Sequence, residues 1–197
     1  IMDLARRAVP FDRGALLLLP ALETVELGSL REVADEFSIW LAPQLRSAQI
    51  QSLTTLGVDG DGPFDLGTSL DISQTGLSEL DIPALTDVEG DILVLSNPDL
   101  LAVRLPALAQ AIGLRVDGDQ LEELSAPALE EADQIDVRAP QLTTLALDNL
   151  RTVRTALSLA DAQLTDLSGL RSIRSAALLR LSNLDQLRDL TGMSELS

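Results

Sequence analysis

One short pattern recurs along most of this chain and limits the folds that are open to it. An apolar-x-apolar triplet is followed by a polar turn, then by L-x-x-L, and often by Pro-x-Leu. The triplets begin at residues 70, 92, 114, 135, 157 and 179, so the period is 21 or 22 residues. Each triplet suits a short strand with two inward side chains and one outward side chain. Because one coil cannot bury its apolar residues alone, successive coils are expected to stack.

The period predicts an all-β or β-rich solenoid, that is, a β-helix. A coil of 21 or 22 residues leaves little room for a helix, and its tight Leu and Pro spacing favours short faces joined by corners. The alternative is a leucine-rich-repeat α/β solenoid, which needs L-x-x-L-x-L followed by x-x-N-x-L. LTTLALDNL at Leu142 to Leu150 approaches that pattern.

The regularity of the pattern divides the chain into four parts. Residues 1–19 are predicted to be an N-terminal cap, in which Asp3 is a suitable N-cap for a short helix through Val9. Irregular coils are expected over 20–69 and regular coils over 70–193. The tail at 194–197 follows closely on a coil, so either a cap has been removed or the parent chain continues.

The residue types that are missing exclude most catalytic chemistry. The sequence has no Cys and no His, and all 14 basic residues are Arg. It therefore has no thiolate nucleophile, no cysteine zinc site, no imidazole base and no Schiff-base lysine. No cofactor is expected and the chain is not predicted to be an enzyme. The use of Arg without Lys also indicates a GC-rich bacterial genome.

The charge indicates which partners are disfavoured. A formal net charge of −17 disfavours nucleic acid and anionic membranes, and favours cations or a basic protein surface. The apolar run from Ala15 to Leu19 is too short to cross a membrane, because crossing a bilayer takes about 20 apolar residues. We expect no membrane insertion.

One acidic stretch resembles the start of a calcium loop. VDGDGPFD contains Asp59, Asp61 and Asp65, which are hard oxygen ligands of the kind calcium prefers. A near copy, VDGD, recurs at Val116 to Asp119, in a corner between a strand and an L-x-x-L segment. The copy favours a turn at both places, and calcium binding by the three aspartates stays open as a weaker hypothesis.

Four arginines form a regular set near the C-terminal end. LRTVR and LRSIR superimpose at a spacing of 20 residues, which predicts Arg151 near Arg171 and Arg154 near Arg174. Acids occupy the same corner one coil earlier. The set is therefore predicted to form salt bridges between coils. The functional alternative is a clamp for an anionic or carboxylate group on a protein ligand.

The single Trp also has two interpretations. Trp40 lies in ADEFSIWLAP, where the repeat is irregular. A lone Trp at such a place usually fills a gap in a coil or cap. If its ring were exposed, Trp40 would instead be a contact residue for a protein partner.

The run from Leu93 to Ala111, a short strand followed by SNPDL, L-x-V-x-L and PAL, resembles the receptor L domain family. The turns at Asn97-Pro98 and Ser182-Asn183 carry the resemblance, as do the Pro-x-Leu corners that begin at Pro83, Pro106 and Pro127. The resemblance implies a right-handed β-helix that presents a binding or adhesion surface at a cell envelope. The animal receptor members carry disulfides and this chain has no Cys, so no hormone-binding residue is carried over.

These features predict a non-catalytic module that recognises a protein ligand, in an extracellular or cell-surface setting. An acidic mimic that binds a basic protein surface is the first alternative, and the Arg-rich C-terminal part counts against it. A β-helical carbohydrate-active enzyme is the second alternative. Aromatic residues make up only 2% of the chain, so it lacks the aromatic platforms on which sugars stack.

Overall fold

The architecture was taken from a computed structural model, which describes residues 11–57 and 68–196, with side chains from residue 16 onward. Sixteen strands and one 3-10 turn, Ser168–Leu170, occur in these ranges. The strands are β1 Phe11–Leu17, β2 Thr24–Glu26, β3 Glu32–Ala42, β4 Ser47–Gln49, β5 Thr55–Leu56, β6 Thr68–Thr75, β7 Glu79–Asp81, β8 Asp87–Leu95, β9 Ala102–Arg104, β10 Gln110–Asp117, β11 Glu123–Ser125, β12 Glu131–Arg138, β13 Thr144–Ala146, β14 Thr152–Ala160, β15 Ser175–Ala176 and β16 Leu179–Ser182.

The strands stack in parallel as a β-solenoid. One sheet of ten strands runs from β1 through β3, β5, β8, β10, β12 and β14 to β15, with β6 between β3 and β8 and with β16 on β14. A second sheet contains β7, β9, β11 and β13, and β2 pairs with β4 in a third. We call the ten-stranded sheet the long sheet.

The pairing register reproduces the sequence repeat. Each residue that begins an apolar-x-apolar triplet is the Cα partner of the next one. These partners, in order, are Leu70, Ile92, Leu114, Ile135, Leu157 and Leu179. The prediction of an all-β solenoid is confirmed.

The leucine-rich-repeat α/β alternative is wrong for the part of the chain that the structure describes, which contains no α-helix. Leu142 to Leu150, the segment closest to that pattern, forms β13 and then a tight turn in which the Leu150 N–H donates to the Leu147 carbonyl oxygen. Two strands and their turns use up each coil, so no residues remain for a helix.

The helix expected over Asp3 to Val9 lies outside the described residues. Within those residues, nothing helical is long and apolar enough to cross a membrane.

The core is a column of Leu, Ile and Val from successive coils. In β8, for example, Ile92 and Val94 are fully buried, while Leu93 between them is only partly covered. This is the pattern of two inward side chains and one outward side chain that the triplets predict. Because each layer contacts only its neighbours, stability builds up coil by coil.

Proline sets the same turn in coil after coil. Every proline among the described residues is the second residue of a turn in which an N–H donates to the carbonyl three residues earlier. Proline suits this position because its ring fixes φ near the required value and its missing N–H is not needed there. The prolines are Pro20, Pro43, Pro83, Pro98, Pro106, Pro127 and Pro140.

One corner of the solenoid contains a buried polar network. Asn97 is 1% exposed, and its Oδ1 accepts hydrogen bonds from the backbone N–H and the Oγ1 of Thr75 at 2.9 and 2.8 Å. Its Nδ2 donates to the Ile72 carbonyl oxygen at 2.8 Å. The turn predicted at Asn97-Pro98 is present, and Asn97 also ties two coils together inside the corner.

The apolar side chains at the two ends of the core are buried to different extents. At the N-terminal end, Val25 and Leu27 are buried. At the C-terminal end, Leu179 and Leu181 are only half-buried, although their register partners Leu157 and Leu159 are fully buried. The last described coil therefore has an inner face that no further described coil covers.

Candidate protein-binding surface

Outward side chains of the long sheet form rows across successive coils. A first row contains, in register, Ser38, Asp71, Leu93, Arg115, Asp136, Ser158 and Arg180. A second row, two residues further along each strand, contains Leu17, Trp40, Ser73, Leu95, Asp117, Arg138, Ala160 and Ser182. The rows are apolar or uncharged near the N-terminal end, apart from Asp71, and carry most of their charges from β10 onward.

Trp40 lies on this face and is 38% exposed. Its register partner Leu17 is 47% exposed, and Leu18, whose N–H donates to the Trp40 carbonyl oxygen at 3.2 Å, is 65% exposed. We call Leu17, Leu18 and Trp40 the Trp40 patch. Of the two interpretations of Trp40, exposure favours a contact residue over a side chain that only fills a gap. Large exposed apolar side chains next to one another are the usual mark of an interaction surface.

Arg151 and Arg154 form the salt bridges between coils that the sequence predicts. Arg151 Nη1 is 3.0 Å from Glu130 Oε2. Arg154 contacts both Glu131 and Asp133 at 2.6 and 2.8 Å, and these two carboxylates raise the pKa of its guanidinium. Each of these carboxylates belongs to the preceding coil. The arrangement supports the salt-bridge interpretation, because carboxylates of the same molecule already contact these guanidinium groups.

The predicted stacking of the arginines is wrong in register. The backbone N–H of Arg174 donates to the Arg151 carbonyl oxygen, so Arg174 and not Arg171 lies beside Arg151. Arg171 instead contacts Asp148 at 3.2 Å. The physical reason is the 3-10 turn at Ser168–Leu170, which lengthens this coil beyond the spacing of 20 residues that the sequence comparison assumed. An anion clamp built from two stacked arginine pairs is therefore not assembled.

Arg104 forms a comparable bridge on the four-stranded sheet. Its guanidinium donates to Glu123 on the following coil, with Nη2 at 2.6 Å from Oε2, and to Glu79 on the preceding coil at 3.2 Å. These contacts raise the pKa of Arg104, mainly through the hydrogen bonds with Glu123. The side chain thus links three coils.

Asp71 is the charged residue of the apolar end of the face, and sequence reasoning assigned it no role. It is half-buried, and desolvation raises the pKa of its carboxyl group above the usual value. The Ser73 hydroxyl donates a hydrogen bond to Asp71 Oδ1, which opposes that rise. Its outward direction was readable from the triplet LDI, but its desolvation was not, because that depends on neighbours from other coils.

Two further acids are perturbed by their neighbours. Burial raises the pKa of Asp91, and the negative charge of Asp133 adds to the rise. At a corner further along, a hydrogen bond from Asn183 and the nearby Arg138 lower the pKa of Asp161. Both aspartates are partly exposed.

An open cleft of about 160 Å³ lies beside the 3-10 turn. Its lining includes Thr144, Thr165, Asp166 and Ser168. Hydrogen bonds from the Ser168 hydroxyl and backbone N–H lower the pKa of Asp166, so this carboxyl group stays ionised and is unsuited to act as a general acid. The cleft lining carries this one carboxyl group, whereas glycoside hydrolysis generally uses a pair.

The calcium hypothesis concerns residues that are not described. Asp59, Asp61 and Asp65 lie outside the described residues, so calcium binding stays a prediction. Their sequence copy can be placed: Gly118 and Leu121 form a corner in which the Leu121 N–H donates to the Gly118 carbonyl oxygen, and Asp117 and Asp119 are exposed. Within the described ranges, no group of three or more acids is arranged to hold a metal ion.

Comparison with known proteins returned no relatives. No family model, no curated protein and no solved structure matches this chain. The resemblance to the receptor L domain family therefore has no support from family models and stays a prediction from the motifs named above.

Proposed function

We propose that this protein is a non-catalytic recognition module that binds a protein ligand through the outer face of its long sheet, at a bacterial cell envelope. The observation that carries the proposal is the Trp40 patch. An exposed Trp beside exposed leucines is costly in water and becomes favourable when a partner covers it, and Trp is enriched among residues that dominate binding energy. The envelope location rests on the resemblance to receptor L domains.

The rigidity of the fold supports this role. Leu17 and Trp40 of the patch lie in β1 and β3, which are paired over most of their length in the long sheet, and Leu18 directly follows β1. A partner would therefore meet side chains held by a stacked core, with little ordering left to lose on binding.

The alternative of an acidic mimic is less well supported. A mimic of nucleic acid needs an uninterrupted ladder of acids, and Arg104, Arg151 and Arg154 each contact carboxylates of neighbouring coils. These contacts neutralise part of the acidic surface. The alternative of a carbohydrate-active enzyme is less well supported too, because the cleft at the 3-10 turn is lined by one carboxyl group, which stays ionised, and glycoside hydrolysis generally uses a pair.

The test is affinity capture from separate envelope and cytosol fractions of the source organism. The wild-type protein is compared with a patch variant and with a control variant of equal chemistry on other exposed residues. The patch variant is Leu17→Ser, Leu18→Ser and Trp40→Ser, and the control variant is Leu101→Ser, Ile112→Ser and Leu178→Ser.

The expected result is an envelope protein that the wild type and the control variant capture and the patch variant does not. Capture of the same protein by the wild type and both variants would show that the patch is not the binding surface. Recovery of a nuclease or topoisomerase from the cytosol would instead favour the acidic mimic.

A further inference from the structure

Four residues of β3 and β6 are neighbours on the outer face of the long sheet. Ser38 is the register partner of Asp71, and Trp40 is the register partner of Ser73. The two serines are 3% and 6% exposed, so neighbouring groups already cover them, whereas Trp40 is 38% exposed and Asp71, diagonally opposite it in the register, is partly exposed. We call these four residues the notch.

The spacing of the strands places Trp40 and Asp71 within reach of one long side chain. Neighbouring strands lie about 4.8 Å apart, and alternate residues of a strand lie about 6.7 Å apart. The Cα atoms of Trp40 and Asp71 are therefore about 8 Å apart along the diagonal. On the far side of Asp71 and Ser73, the partly buried Leu93 and Leu95 of β8 give an apolar margin.

The Asp71 carboxylate forms no ion pair with an arginine among the described residues. None of the ion pairs found there includes Asp71, whose described partner is the neutral hydroxyl of Ser73. The nearest arginine along the first row is Arg115, two strands away, or about 10 Å. Burial raises the pKa of Asp71, which is the sign of a carboxylate held in a poorly hydrated place without a compensating charge.

We propose that the notch binds an arginine side chain of the protein ligand. The planar guanidinium would stack on the exposed side of Trp40, and its N–H groups would donate to the Asp71 carboxylate. Arginine fits better than a neutral apolar group, because an apolar group would desolvate Asp71 further and leave it without a cation. This inference rests on the proposed function and names the chemistry of the ligand.

The sequence supplies a direct probe of the notch. Trp40 is the single Trp, and there is no Tyr, so the fluorescence excited at long wavelength reports Trp40 alone. Three peptides, acetyl-Gly-Arg-Gly-amide and its Lys and citrulline counterparts, are titrated while Trp40 emission and the single indole N–H resonance are followed. Citrulline has nearly the shape of arginine and carries no charge.

The matched variants are Asp71→Asn and Asp136→Asn. Asp136 belongs to the same first row but is the register partner of Arg115, so it has a cation beside it and no Trp. Asn at position 71 keeps an oxygen that accepts the Ser73 hydrogen bond, so the fold is expected to survive, which circular dichroism and melting temperature check.

We expect a saturable response to the Arg peptide, weakened about tenfold or more in Asp71→Asn, unchanged in Asp136→Asn, and absent with citrulline; tenfold corresponds to about 1.4 kcal/mol. An equal response to citrulline, or equal weakening in both variants, would overturn the proposal. So would a saccharide that changes Trp40 emission where the Arg peptide does not.

The two proposals fail separately. If the Arg peptide does not bind but affinity capture still depends on the Trp40 patch, the arginine notch is wrong and recognition of a protein stands. If the Arg peptide binds but no protein is captured through the patch, the notch is retained and the proposed function is wrong.

Discussion

At the scale of single residues, Asn97 shows how a turn residue becomes part of the core. Its side chain satisfies the Thr75 N–H and hydroxyl and the Ile72 carbonyl oxygen, all inside a corner that water does not reach. Buried polar groups that lose their partner cost more than a hydrogen bond contributes. Asn97 therefore holds two coils together at a point where an apolar residue could not.

We predict that Asn97→Ala lowers the free energy of unfolding by about 2 kcal/mol or more, since it leaves groups of Thr75 and Ile72 unpaired. Denaturant unfolding measures the loss. Asn149→Ala is the control, because Asn149 is exposed at another corner, and we expect it to change stability by less than about 0.5 kcal/mol. Equal effects at the two positions would show that Asn97 is not a structural tie.

The Asp71 carboxyl group gives a pH-dependent prediction. Its pKa in the folded state is raised above the usual value of 3.8, so the native state holds this proton more tightly than the unfolded state does. Ionisation of Asp71 therefore destabilises the folded state as the pH rises from the usual pKa through the raised pKa. This loss of stability persists at higher pH. Asp71→Asn removes this cost.

We therefore expect Asp71→Asn to melt at or above the wild-type temperature near neutral pH, with an advantage that shrinks as the pH falls through the acid range. Melting temperatures of the two proteins across the same buffers test this. An advantage that is constant or that grows toward acid pH would contradict the desolvation of Asp71.

At the scale of elements, the 3-10 turn at Ser168–Leu170 determines the register of the last coils. Its central residue, Gly169, is so close to the preceding coil that a Cβ atom would lie 1.8 Å from the Leu145 carbonyl oxygen. The turn also receives the Leu147 N–H on the Gly169 carbonyl oxygen. Its place in the stack therefore requires a residue without a side chain.

We predict that Gly169→Ala destabilises the protein by roughly 3 kcal/mol or more, because the clash is with backbone and cannot be relieved by a rotamer change. Gly28→Ala is the matched control, since nothing lies within 4 Å of a Cβ atom there. Chemical unfolding of both variants measures the difference. A tolerated Gly169→Ala would mean that the turn is free to move away from β13.

At the scale of the whole molecule, the solenoid is a linear stack whose layers depend on both neighbours. Leu157 and Leu179 occupy the same register position, yet Leu157 is fully buried between coils and Leu179 is half-buried in the last one. Chemically identical substitutions at these two places therefore report how much burial a second neighbouring coil adds.

We expect Leu157→Ala to cost about 2–5 kcal/mol and Leu179→Ala less than half as much. Equilibrium unfolding gives both values under one set of conditions. If Leu179→Ala were as costly as Leu157→Ala, the last coil would have to be covered in solution, for example by a second copy, and sedimentation would show the larger species.

The repeat itself was readable from the sequence. The triplets at Leu70 and Ile92 lie in strands that pair in the predicted register, and the Pro-x-Leu corners at Pro83 and Pro106 form the expected turns. Both are local signals: alternation sets which side chains point inward, and proline sets φ at its own position. The sequence also drew attention to Trp40, but the interpretation it favoured was a side chain that fills a gap, whereas Trp40 is 38% exposed.

Neighbour relations across coils were decided only by the tertiary structure. The notch brings Trp40 beside Asp71, and the 3-10 turn moves Arg174, in place of Arg171, next to Arg151. These relations depend on how many residues each corner uses, which follows from the backbone geometry of that corner and not from the apolar pattern. The sequence by itself therefore determined which side chains point inward and that the chain forms repeated coils. The stacking of the coils determined which outward side chains meet. The reason is that one extra residue in a corner shifts every outward neighbour and leaves the apolar period almost unchanged.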